Sequence, residues 1–260
     1  MLAQFLAGLA EKLNANPASL DAYLRIKETA HAAPLAVPKE LSLSTRRLFH
    51  HINDSQDGAT TVMAETGDSW FNGKNLHLPD GCRFEIQMQY GSIGWSLEAF
   101  LRLVAANPQR RVIWLTGDGS FRMTAQEVSA ILRYNYSGVI FLMNNGASTI
   151  EVMIHDGPCN SLQNWDYAAM VETLKGKSPI LSQVVCTEKE LVAALTKSKT
   201  FRGLTFIELI LDLTDCSKAL PRWGTAVADY NAAQGEDEPT ELDLKRYISM
   251  LKTLVPAGVQ

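Results

Sequence analysis

Residues 114–121, "WLTGDGSF", place an acid between two glycines at the end of an apolar run. The preceding "RVIWLT" (111–116) is short, rich in β-branched residues and closed by Gly117, the pattern of a central strand. A carboxylate there is costly to bury without a partner. Glycines on both sides let the backbone come close to a ligand. The stretch therefore predicts a charged ligand at a strand end, held by Asp118.

Working outward, the same grammar repeats. Strand patterns occur at "TTVMAE" (60–65), "RFEIQMQ" (83–89), "GVIFLMNN" (138–145), "ILSQVVC" (180–186) and "LTFIELIL" (204–211). Helical patterns lie between them at "STRRLFHHIND" (44–54), "SLEAFLRLVAAN" (96–107), "TAQEVSAILRYN" (124–135), "WDYAAMVETLKG" (165–176) and "EKELVAALTKS" (188–198). Strands alternating with helices of this length predict an α/β fold, a parallel sheet with helices on both faces. Ligands of such sheets bind beyond the carboxyl ends of the strands, which is where "TGD" (66–68) and "GDGS" (117–120) fall.

Three segments are expected. Residues 1–40 hold a short amphipathic helix and a proline-containing connector, "HAAPLAVPKE" (31–40). Residues 41–234 form the α/β domain. Residues 235–260 are an extension with an acidic start and an amphipathic helix, its apolar face running from Leu242 and Leu244 through Tyr247, Ile248 and Leu251 to Leu254.

Composition narrows the function classes. A net charge of −4 gives no basic field for nucleic acid or an anionic membrane. No apolar run reaches the roughly 18–20 residues that span a bilayer, and the N-terminal stretch, with Glu11 and Lys12, reads as a helix rather than a signal peptide. Four cysteines without CxxC spacing suit a reduced, cytoplasmic protein.

Asp118 and Asn145 are 27 positions apart, each just past a strand. On adjacent parallel strands they share one rim of the sheet. A carboxylate, an amide oxygen and nearby carbonyls suit a hard cation such as Mg2+, which completes its octahedron with water and phosphate oxygens. Gly117, Gly119 and Ser120, at a helix start, offer N–H groups and a hydroxyl to a phosphate. The residues describe a metal-bridged diphosphate clamp.

That pair, together with "AETGDSWFN", "MQYGSIGWS", "GDGSFRMTAQEVSAILRY", "IFLMNN", "TIEVMIHDGP" and "NWDYAAM", resembles the C-terminal thiamine diphosphate-binding domain of pyruvate decarboxylase, particularly the bacterial type, with indolepyruvate and phenylpyruvate decarboxylases near it. The resemblance runs from about Pro34 to Asn231. It implies the thiamine diphosphate-binding fold, with thiamine diphosphate and Mg2+ as cofactors. It implies Asp118, Asn145 and the Ala147 carbonyl as metal ligands. Relatives usually have glycine and then an aromatic residue at positions 147 and 148, where this chain has Ala147 and Ser148 after Gly146. If the loop needs a positive φ at 147, alanine there is strained by about 1–2 kcal/mol.

The resemblance further implies that the Gly91 carbonyl receives the aminopyrimidine, with Ser92 beside it, and that Ile93 wedges the cofactor into its bent shape. Thr66 and Asp68 match residues on the diphosphate and thiazolium side. Ser148 and Ile150 fall in the matched loop. Glu151 matches the glutamate over the thiazolium ring, the candidate catalytic acid, with a pKa expected to rise beside Ile150 and Ile154. His50 and His51 read as surface and packing residues. His155 can line the site, though a structural role suits it better, and "SWF" and Trp95 read as packing.

In the resembled family the activating glutamate and a histidine pair belong to a separate pyrimidine-binding domain, for which this sequence has no counterpart. One reading is half of a 2-oxo acid decarboxylase, completed by a pyrimidine-binding domain in another chain or a missing part. A second is a freestanding, non-catalytic cofactor- or partner-binding domain. A third, half of an oxo-acid oxidoreductase or a sulfopyruvate-type decarboxylase, lacks a cysteine cluster for iron–sulfur binding. The face that meets the absent domain should be apolar, so a homo-oligomer or a complementary chain is expected.

Overall fold

The computed structural model describes residues 2–12, 17–29 and 42–234. The expected proline connector within 31–40 and the expected extension at 235–260 lie outside the described residues. Of the described residues, those up to 29 belong to one compact unit and 42–232 to another. The first contains α1 (Leu2–Lys12) and a second, unpredicted helix, α2 (Ala18–Thr29). Pro17 stands just ahead of α2, and its carbonyl accepts the Asp21 N–H at 2.8 Å, closing the first turn.

The second unit opens with α3 (Thr45–Asp54), capped by the Ser44 hydroxyl, and continues with β1 (Thr60–Ala64), α4 (Asp68–Gly73) and β2 (Arg83–Ile86). Then follow α5 (Trp95–Ala106), β3 (Arg111–Gly117), α6 (Asp118–Arg122), α7 (Val128–Arg133), β4 (Gly138–Asn144) and α8 (Thr149–Ile154). The series ends with α9 (Tyr167–Leu174), β5 (Ile180–Val185), α10 (Glu188–Thr200), β6 (Leu204–Ile210) and α11 (Ala219–Gln234). The six strands form one parallel sheet in the order β2-β1-β3-β4-β6-β5. This is the predicted α/β architecture.

Alternate residues of each strand feed opposite faces. Val62, Ile113, Leu115, Phe141 and Ile207 pack under α3 and α10, against Leu48, Ile52, Leu191 and Leu195. Met63, Trp114, Ile140 and Phe206 pack under α5, α7 and α9, against Leu97, Phe100, Ile131, Tyr167 and Val171. A third, smaller cluster of Trp70, Phe71 and Leu220 joins α4 to α11, with Ile150 and Met153 of α8 beside it.

Within the second unit, "TGDSWFNG", read as a turn, contains the helix α4, and three further elements differ from expectation. β2 stops at Ile86 rather than Gln89: it is an edge strand paired only with β1, and the chain beyond it turns toward Gly91, at φ +61°. "TAQEVSAILRYN" is not one helix. The chain is already helical at Asp118, then passes through a 3-10 turn at Ala125–Glu127 before α7. Phe121 is drawn into the core against Trp114, Tyr167 and Phe206, and the Thr124 hydroxyl donates to the Gly94 carbonyl at 2.9 Å, so local bonds compete with a continuous helix. Finally, α11 occupies a stretch that the periodicity left unassigned. Among the described residues no helix is long and apolar enough to cross a membrane.

The chain leaves β1 toward β2 and leaves β3 toward β4. The loops at the carboxyl ends of β1 and β3 therefore part, opening a crevice at the switch point of the sheet.

Candidate functional site

A cavity of about 450 Å³ occupies that crevice. The turn after β1 supplies Thr66 and Asp68, that after β3 supplies Gly117, Asp118, Gly119 and Ser120, and that after β4 supplies Asn145, Ala147, Ser148, Ile150 and Glu151. Ile93 reaches it from the loop before α5. Of the candidate cofactor, metal and catalytic residues, only Gly91 and Ser92 stand back from the wall. Both are exposed, and the Ser92 carbonyl accepts the Thr66 hydroxyl.

Asp118 is 2% exposed. β3 and β4 are neighbours, with Gly117 opposite Met143, so the ends of both strands meet beside it. Its Oδ1 accepts the Gly119 N–H and its Oδ2 the Gly146 N–H, each at 2.9 Å. Burial pushes its pKa from 3.8 up to about 6, and the two amide bonds pull the other way. Burial, with the nearby Asp118 charge, pushes Tyr167 up to about 12. Arg122 is the one cationic side chain on the cavity wall among the described residues; its guanidinium carbon stands 4.6 Å from the centre of the Trp165 ring. Sequence reasoning missed both Arg122 and Trp165, which only the fold brings to this wall.

Two phosphate donors expected from the sequence already have partners within the chain. The Gly119 N–H is bound to Asp118, and the Ser120 hydroxyl donates to the Thr66 carbonyl at 3.4 Å.

In the turn after β4, the Asn145 amide donates to the Thr149 hydroxyl, and its Oδ1 accepts the Ala147 N–H at 3.4 Å. Gly146 carries the positive φ, +72°; among the described residues other than glycine only Asn135 has one. The strain anticipated at Ala147 is therefore absent. Ala147 pairs with Ser161 through the flanking groups, Ser148 N–H to Asn160 O and Leu162 N–H to Gly146 O. That pairing turns Ala147's own N–H and carbonyl to the other side, away from Ser161.

Glu151 lines the cavity from α8 but is exposed, without the burial beside Ile150 and Ile154 that the sequence led us to expect. His155 is exposed and stands off the wall. His51 lies 2.6 Å from Glu188 of α10, which also takes both arms of Arg47, so it serves helix packing. Trp70 and Phe71 are buried in the cluster with Leu220.

Two buried carboxylates behind the wall escaped sequence reasoning. Glu65, fully buried, gathers donors from Thr66, Gly94 and Ser96, and burial raises its pKa against those bonds. Glu208 of β6 accepts the Asn144 amide at 2.7 Å and the Ala168 N–H at 2.9 Å, securing the first asparagine of the "NN" pair and the start of α9. Asp68 is held by Asn72 and by the Ser217 N–H, while its Oδ1 is buried without a hydrogen-bond partner among the described residues.

Residues 69–209, more than half of the chain, match the family described as "Thiamine pyrophosphate enzyme, C-terminal TPP binding domain". The chain belongs to the thiamine pyrophosphate enzymes. It is 44% identical over 235 residues to "Pyruvate decarboxylase 1" of Oryza sativa subsp. indica, covering 89% of this chain and 39% of that protein. It is 42% identical over 233 residues to "Probable pyruvate decarboxylase Pdc101" of Schizosaccharomyces pombe, covering 89% and 41%. With "Pyruvate decarboxylase 2" of Pisum sativum it shares 43% over 235 residues, covering 89% and 58%. The chain thus spans about two fifths to three fifths of the length of these relatives.

The cofactor of thiamine pyrophosphate enzymes is thiamine diphosphate, and the cavity fits it. Gly117 has φ −83° and ψ 160°, a backbone any residue adopts, yet a Cβ there would meet no atom of the described residues within 4 Å. The space above it is left by a missing side chain and suits a diphosphate. The donors around Asp118 are hard oxygens, and no cluster of three or more His, Cys, Asp or Glu able to hold a metal occurs among the described residues.

Proposed function

We propose that the chain is the diphosphate-binding half of a thiamine diphosphate- and magnesium-dependent 2-oxo acid decarboxylase, which converts pyruvate or a similar 2-oxo acid into an aldehyde and CO2. The observation that carries this reading is the meeting of Asp118 with the 145–147 turn across adjacent strand ends, facing a cavity with Gly117 at its floor. The names of the relatives agree with it.

In this reading Asp118, the Asn145 side-chain oxygen and the Ala147 carbonyl would hold Mg2+, which would supply positive charge against the diphosphate. Thiamine diphosphate, when bound, would supply a nucleophilic thiazolium carbon and an electron sink for the bonding pair left behind as CO2 departs. Gly117 leaves room for the phosphates. Thr66 would border the diphosphate and thiazolium side and Ile93 the rest of the cofactor, and Glu151 would give or take a proton at its carboxyl oxygen. Glu151 needs a cover to exclude water, and the natural cover is a pyrimidine-binding domain, supplied by another chain or by further sequence of the same protein. Ile93, Met123 and Trp165 at the cavity, with Met88 and Tyr90 in the loop leading to it, offer that partner an exposed apolar surface. The same surface supports a homo-oligomer. Four free cysteines suit a cytoplasmic setting.

A second reading, a domain that holds the cofactor without turning it over, draws on the exposure of Glu151.

Calorimetric titration of thiamine diphosphate into the chain, with magnesium and then with EDTA, tests the proposal. Magnesium-dependent binding that Asp118→Ala abolishes supports the clamp. Release of CO2 from pyruvate once a pyrimidine-binding domain is added then separates the first reading from the second. No binding in magnesium overturns both.

A further inference from the structure

Resting on the cofactor reading above, we infer that Glu65 is a positioning residue: its carboxylate fastens the Ser92–Ser96 loop to the end of β1, holding Ile93 in register with the diphosphate end of the cavity.

Burying a carboxylate is costly unless donors surround it. Glu65 has four, one from the turn after β1 and three from the loop before α5 and the first turn of that helix. Its Oε1 accepts the Thr66 N–H at 2.7 Å. Its Oε2 accepts the Gly94 N–H at 3.1 Å, the Ser96 N–H at 3.4 Å and the Ser96 hydroxyl at 2.5 Å. Ser96 Oγ in turn accepts the Trp114 indole N–H at 2.7 Å, which ties the network to β3. Three of the donors are backbone amides and can only donate, so the site is built for an acceptor at residue 65. No cation pairs with Glu65 among the described residues.

The loop is clamped on either side of Ile93. Before it, the Ser92 carbonyl accepts the Thr66 hydroxyl. After it, Gly94 gives its N–H to Glu65, and its carbonyl accepts the Thr124 hydroxyl at 2.9 Å. Gly94 sits at φ +82°, and a Cβ there would lie 2.6 Å from that of Met123, so the loop also lies tight against the chain after α6. Thr66 belongs to the diphosphate side, and Ile93 to the part of the cavity facing the rest of the cofactor. One carboxylate spans the two.

Glu65→Gln keeps size and shape but sets an NH2 against either the Thr66 N–H or the Gly94 and Ser96 donors. Calorimetry in magnesium compares thiamine diphosphate with inorganic diphosphate, which needs the clamp alone. The expected result is an affinity for thiamine diphosphate lower by about tenfold or more, with inorganic diphosphate held within about twofold. In the ligand-free variant, amide exchange at Gly94 and Ser96 should rise while β3 and β4 stay protected. Should Glu65→Gln fail to fold by circular dichroism, Ser96→Ala, which removes one donor and keeps the charge, is expected to give the same ranking with a smaller loss. Equal losses for both ligands, or no loss for either, overturn the positioning role. A wild-type chain that binds neither ligand overturns the cofactor reading itself and the role with it, a result distinct from normal wild-type binding with an unaltered variant.

Discussion

Asp118 Oδ2 and the Gly146 N–H lie 2.9 Å apart, and that bond fastens the turn after β3 to the turn after β4. The metal reading and the stability of the ligand-free chain both turn on this carboxylate, with opposite demands on its charge.

Burial lifts Asp118 from 3.8 to about 6, so the folded chain holds its proton more tightly than the unfolded chain does. Its contribution to folding is fully present below about pH 4 and is lost as pH rises through about 6, a difference of about 3 kcal/mol. Metal-free wild type should therefore lose stability relative to Asp118→Asn between about pH 4 and pH 7, read from urea midpoints. Magnesium with diphosphate should remove that loss by compensating the charge. Parallel pH profiles for the two proteins would count against a strained, ionised Asp118.

Gly117→Ala should separate binding from folding. The backbone there suits alanine and the methyl meets no atom of the described residues, so stability should hold or rise by about 0.4–1 kcal/mol. The methyl would stand in the diphosphate space and weaken magnesium–diphosphate binding by about tenfold or more. Calorimetry and a melting curve on the same sample check both halves.

The turn after β4 predicts an unequal pair. Gly146→Ala forces a Cβ onto a backbone at φ +72° and should cost about 1–2 kcal/mol, turning its N–H from Asp118 and weakening metal binding. Ala147→Gly relieves no strain and should cost up to about 1 kcal/mol through added freedom of the unfolded chain. If Ala147→Gly instead strengthened magnesium affinity, the turn would be strained at 147 after all.

Gly224 lets α11 press on α8. A Cβ there would lie 2.4 Å from the Met153 carbonyl oxygen, so Gly224→Ala should cost about 1–3 kcal/mol. Because Met153 and Glu151 share α8, hydrogen exchange along that helix should rise with the loss. A variant as stable as wild type, with α8 unaltered, would show that the two helices yield freely.

The sheet, and the approach of the turn after β3 to the turn after β4, were legible because they rest on local patterns: an apolar run closed by polar residues and glycine, "TGDG" after β3 and "NNG" after β4. Asp118 and Asn145 needed only parallel neighbours to meet, and β3 and β4 are such neighbours. What stayed hidden depends on contacts distant in sequence. Glu65 lies within "AETGD" and looks like any turn acid until the loop 29 residues on delivers Gly94 to it. The break in the helix after Asp118 follows from Phe121 entering the core and Thr124 bonding across to Gly94, neither of which has a periodic signature. The placement of the loop's positive φ at Gly146 rather than at position 147 could be suspected from the shifted glycine, but only backbone geometry decided it.

Ile93 is 47% exposed, yet the chain on both sides of it is tied down by Thr66, Glu65 and Thr124. An apolar side chain facing solvent on a slack loop would have to be ordered by whatever binds it, at about 1–2 kcal/mol of conformational entropy for each residue fixed. Here that ordering is completed during folding. In the proposed cofactor reading, Ile93 would meet its ligand as a rigid wall rather than a closing flap, leaving more of the contact energy available as affinity.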